Sequence, residues 1–146
     1  MKKLLSVVLI LGLGLSITGA SCGGGTTAVE VKHNAALTIV TVEAALALVH
    51  ETEDALRCGR PAAPATFCID RAKHDSLFKP RLIQGFTYVG QARDLYAADD
   101  ATNPEVQRLV TLVAGLVKAI LVDLPDSSQK VALLKTPQVS AVAGAR

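Results

Sequence analysis

From residue 28 onward the chain is written in helical period. Thr27-Ala28-Val29-Glu30 fits a capping box, with Thr27 as N-cap and Glu30 three residues further on. No Gly or Pro follows until Gly59, which predicts a long helix over Ala28 to Arg57. Val31, Ala35, Thr38, Val42, Ala45, Val49 and Leu56 fall on one stripe of that helix. Between Ala35 and Val49 it is apolar almost all round, with Glu43 its only charge. A helix of that kind reads as the central member of a bundle; a dimer or membrane contact is the other reading.

Gly59, Pro61 and Pro64 forbid helix and make residues 58–68 a loop. A second helix is predicted over Ile69 to Ala97, with Leu82, Phe86, Val89 and Tyr96 marking its apolar stripe. Pro80 lies inside it, so the helix either kinks there or is two pieces, with Pro80 near the first turn of the second. Gly85 and Gly90 weaken it or let a neighbouring helix approach closely. Asn103-Pro104-Glu105 is a strong helix start, with an N-cap, Pro at N1 and an acid at the positive end of the dipole. The helix it opens runs to Asp123, with Val106, Leu109, Val110, Val113, Leu116, Val117, Ile120 and Leu121 on a wide stripe.

Pro125 ends this element. Asp126 and Gln129 can cap a short fourth helix through Leu134, and Thr136-Pro137 stops it. Residues 136–146 then read as a flexible tail. The expectation is an all-α domain over residues 28–135, an antiparallel three-helix bundle plus a short fourth helix. There is no strand pattern and no internal repeat.

The first 21 residues are of a different kind. Lys2 and Lys3 precede an apolar stretch from Leu4 to Ile17, and Thr18, Gly19, Ala20 and Ser21 are small. That is the layout of a secretory signal peptide, too short in its apolar part for a ~20-residue membrane span. Gly19-Ala20-Ser21-Cys22, followed by Gly23, Gly24 and Gly25, resembles a bacterial lipoprotein signal. The resemblance implies cleavage before Cys22, acylation of that cysteine and a glycine tether over residues 22–27. Gly19 stands where the pattern has an aliphatic residue. The rival reading is ordinary cleavage after Ala20 or Ser21, which leaves Cys22 a free thiol. In enteric-type bacteria Asp after the lipidated cysteine favours inner-membrane retention. Gly23 in that place points to the outer membrane, with the domain facing the periplasm.

Cysteine arithmetic agrees with a lipid. Cys22, Cys58 and Cys68 make an odd set, which in an oxidising compartment leaves one thiol to explain. A lipid on Cys22 and a Cys58–Cys68 disulfide leave none over. Closing so short a loop would contribute ~2–3 kcal/mol by restricting the unfolded chain. Net charge changes with processing: the formal +2 disappears with Lys2 and Lys3, leaving 13 basic against 13 acidic residues. Such a chain has no basic run for nucleic acid or anionic lipid.

One polar constellation flanks the loop. On ideal helices, Asp54 lies ~40° and His50 ~80° from the line of Cys58, while Asp75 lies ~20° and Arg71 ~60° from that of Cys68. His50, Asp54 and Asp75 can then converge as a first-row metal ligand set; the bland reading is a salt-bridge patch in which Arg71 neutralises the acids. Asp70 and His74 fall ~200–240° from Cys68 and read as a solvated pair. His33 has no evident partner. Ser76, Ser127, Ser128 and Ser140 lack a nucleophile elbow, and there is no redox C-x-x-C, P-loop or dinucleotide fingerprint.

These features together suggest a non-enzymatic helical module without cofactor, anchored to the envelope by its lipid and contacting another envelope protein. A periplasmic carrier of metal or a small ligand is one alternative. A phage-encoded surface lipoprotein that excludes superinfecting phage is another, by analogy of fold and address alone.

Overall fold

The computed structural model describes residues 28–61, 63, 67–98 and 104–144. The signal segment, Cys22, the tether and the expected caps Thr27 and Asn103 lie outside the described residues. Every regular element among the described residues is helical: α1 (Ala28–Ala55), α2 (Arg71–Lys73), a π-helical segment (His74–Phe78), α3 (Lys79–Ala97), α4 (Pro104–Asp123), α5 (Ser128–Leu134) and α6 (Pro137–Gly144). The domain is therefore all-α.

Helix α1 ends at Ala55, where the chain turns into the Pro/Gly-rich loop. Gly59 has φ of 89°, a left-handed conformation that other residues adopt only at a cost. The base of the loop is clamped. Cys58 N–H donates to the Ile69 carbonyl at 3.0 Å, and Ile69 N–H donates to that of Leu56 at 2.8 Å. Cys58 and Cys68 stand at disulfide distance beside this clamp, their Cα atoms 4.9 Å apart. Ile69 is thus extended, and the second helical stretch begins at Arg71 rather than Ile69. Asp70 is its N-cap, its carboxylate accepting from Lys73 N–H at 2.7 Å.

Pro80 explains the π turn. Proline cannot donate to the turn below it and its ring crowds that turn, so a widened turn just ahead accommodates it. The segment His74–Phe78 is that turn, and Pro80 then sits in the first turn of α3. The widening also aims His74 and Phe78 inward; both are buried.

Helices α1, α3 and α4 each pack against the other two. Along α1 and α3 the contacts run in opposite directions: Glu53 meets His74, Leu46 meets Gly85, and Glu43 meets Arg93. At Gly85 a Cβ would lie 2.9 Å from Leu46 Cδ2, so glycine permits the close approach of α1. No such neighbour faces Gly90. Helix α4 has no basic residue in its last turn; cations from the facing stretch take that role. Lys73 donates to the Asp123 carbonyl at 3.1 Å, and Arg81 donates to the Asp123 carboxylate and to the Ala119 carbonyl.

Ile39, Leu46, Val49, Leu56, Ile69, Phe78, Leu109, Val113, Val117 and Ile120 form the centre of the core. The expected stripe of α4 is buried throughout except Leu116, which is half-buried. Phe86, expected in the core, is 40% exposed. Helix α1 is long and apolar enough by length and composition to cross a membrane, yet its Ile39, Val42, Leu46, Val49 and Leu56 are core residues here.

The C-terminal part corrects two expectations. Ser127, not Asp126, caps α5, accepting from Lys130 N–H at 3.1 Å, while Asp126 pairs with Lys130 Nζ at 3.0 Å. Residues 137–144, expected as tail, form α6, which packs on α1 and α4 and buries Val139 and Val142. Pro137 stops α5 but suits the first turn of the next helix, because the N–H it lacks has no partner there anyway.

Candidate functional site

Ile39, Val42, Leu46, Val49, Glu53 and Leu56 follow one another at alternating intervals of three and four, the spacing of a single buried helix face. All are buried, so the sequence places a carboxylate at a core position. Burying an ionised carboxylate costs several kcal/mol unless it is paired and hydrogen-bonded. His74, presented by the π turn, supplies the partner: its Nδ1–H donates to Glu53 Oε1 at 2.7 Å. Glu53 is fully buried and His74 is 8% exposed. Arg57 Nε lies 3.9 Å from the same Oε1. Oε2 has no hydrogen-bond partner, the only such buried side-chain atom among the described residues; His50 Nδ1 is 4.0 Å from it.

With Nδ1 committed to Glu53, His74 turns its Nε2 away from that carboxylate. Asp75 Oδ1 is 3.9 Å from Nε2, beyond a hydrogen bond. His74 also lines an open groove of about 600 Å³ between α1 and the π turn and α3. Its other walls are His50 from α1, Arg57 from just beyond its end, and Lys79, Leu82, Ile83, Phe86 and Thr87 from α3. His50 meets Phe86 edge to face, with ring centroids 6.2 Å apart. The groove therefore combines basic side chains with the apolar Leu82, Ile83 and Phe86, and no carboxylate lines it.

The residues singled out by sequence are distributed differently from expectation. His50 does face α3, as its angle from Cys58 implies. Asp54 does not join it. Arg60 donates to Asp54 Oδ1 at 2.8 Å, and Arg57 donates to the same oxygen at 3.3 Å. These bonds, that of Arg60 foremost, hold the Asp54 carboxyl below its ordinary pKa. Asp75 pairs with Arg71 at 3.5 Å, which is the salt-bridge arrangement. Among the described residues no group of three or more His, Cys, Asp or Glu side chains is placed to hold a metal ion. Asp70 and His74 are not a solvated pair: Asp70 caps a helix and His74 is buried on Glu53.

Sequence reasoning missed Glu53 and misplaced His74. The signal for Glu53 was its place in the alternating spacing. Hydroxyl groups near the site are engaged with backbone: Ser76 donates to the Ala72 carbonyl and Thr87 to that of Ile83. The groove thus sets Arg57, Lys79, His50 and His74 beside the apolar side chains of Leu82, Ile83 and Phe86. The chain matches no protein family, no curated protein and no solved structure.

Proposed function

We propose that the chain is an exported bacterial lipoprotein, cleaved before Cys22, acylated there and tethered through Gly23, Gly24 and Gly25. It carries an antiparallel three-helix bundle of α1, α3 and α4, extended by the short α5 and α6. It acts as a non-enzymatic interaction module, held at the outer membrane and facing the periplasm.

The observation that carries this reading is the Cys58–Cys68 pair at disulfide distance. Disulfides persist in oxidising compartments and are rare in reducing ones, so a structural pair at the crossover between two helices favours an exported protein. Once that pair is counted, Cys22 is the one cysteine left to explain, and acylation explains it. The interaction role is supported by α1, which is apolar beyond what the core uses: Val40 is 56% exposed on it.

A photo-crosslinking residue in place of Val40, activated in intact cells, is expected to capture one defined envelope protein. Crosslinks only to a second copy of the chain, or none above background, would contradict the interaction role.

A further inference from the structure

We propose that the groove between α1 and α3 binds an amphipathic anion, a carboxylate or phosphate head carrying a short apolar tail. This goes beyond the anchored-module reading and does not depend on the lipid. Three features of the groove select that chemistry.

The first is charge. Arg57 and Lys79 both line the groove and no carboxylate does. Arg57 is partly engaged by Asp54 at 3.3 Å. Lys79 has no hydrogen-bond or ion-pair partner among the described residues, so its ammonium is available to an incoming anion. The second is the histidine. Glu53 fixes the His74 ring through Nδ1 and, being fully buried, does not itself line the groove. The ring is thereby held in place on the groove wall, together with Arg57 and Lys79. The third is the wall. Ile83 and Phe86 are 59% and 40% exposed although both are large and apolar, and with the buried Leu82 they line the groove. A volume of about 600 Å³ suits a small molecule. Head and tail thus each have matching side chains within one groove.

The test uses the full-length protein in lipid nanodiscs, with empty nanodiscs subtracted. Phenylbutyrate is the probe, because it is an amphipathic anion that dissolves freely in water. Titration calorimetry should show saturable binding at one site. Phenylbutyl phosphate should bind likewise, and phenylbutylamine, of the same tail and opposite charge, should not. Lys79→Ala should weaken phenylbutyrate binding about fivefold or more by removing a charge-assisted bond, and Ile83→Ser should weaken it by shortening the wall. Both side chains are exposed, so neither change threatens the fold. Lys135→Ala, an exposed lysine outside the groove, should leave binding unchanged. Equal binding of the amine, equal effects of the two lysine variants, or no saturation with phenylbutyrate would overturn the proposal.

Discussion

Replacing His74 with alanine is expected to destabilise the domain by about 3–5 kcal/mol, enough to leave it barely folded. The variant leaves Glu53 without the hydrogen bond it receives at 2.7 Å, in a position that is fully buried. Arg57 at 3.9 Å is too far to replace that bond. Glu53→Gln should cost far less, about 1 kcal/mol, because an amide can still accept from the ring and no charge remains to be desolvated. Exchanging both partners for apolar residues of similar volume, Glu53→Met with His74→Leu, should recover most of the loss, since a well-packed apolar pair can equal a buried ion pair. Urea unfolding of Glu53→Met alone, His74→Leu alone and the double variant closes a cycle that measures the coupling directly. If the double variant lost the sum of the single losses, Glu53 and His74 would not be acting as a pair.

Phe78→Ala should also cost about 3–5 kcal/mol. Phe78 is the bulkiest of the wholly buried side chains among the described residues. It ends the π turn that His74 begins, and the Lys73 ammonium lies 5.7 Å from its ring centroid. Removing the ring empties the contact between the π turn and the core, at the point where the backbone has already left regular α-helical geometry. Phe67, in the disulfide loop, is 60% exposed, and Phe67→Ala should change stability by no more than about 0.5 kcal/mol. Thermal unfolding of the two variants side by side gives the contrast. Equal and small losses would mean that Phe78 is not a core residue.

The helical class was legible because α4 obeys a single rule. Val106, Leu109, Val110, Val113, Val117, Ile120 and Leu121 repeat at helical spacing, and all are buried. Helix α1 was harder, since it is apolar on every side and its pattern cannot say which side is innermost. Val42, Ala45, Val49 and Leu56 are buried as the stripe implies, but the face centres on Ile39, Leu46 and Glu53. A glutamate there looks like a solvated charge until its partner is known. That partner is 21 residues away and lies beyond the loop, so no local pattern links them.

His74 was misplaced for a geometric reason. Counting 100° per residue from Cys68 assumes that helix begins at once. Ile69 is instead extended in the clamp, and Asp70 has φ −72° and ψ 166°, so the helical phase is lost before Arg71. The π turn shifts it again. The tail was misread because Thr136-Pro137 serves both to end one helix and to start another, and only the burial of Val139 and Val142 separates the two uses. The metal reading of His50, Asp54 and Asp75 rested on carboxylates that nearby arginines engage locally.

The most direct test of the account is the intact mass of the protein extracted from membranes, measured with and without reductant. The account predicts a chain beginning at Cys22 that carries acyl groups and gains two hydrogens on reduction, from one Cys58–Cys68 bond. A lipid-free mass, or one that reduction leaves unchanged, would contradict it.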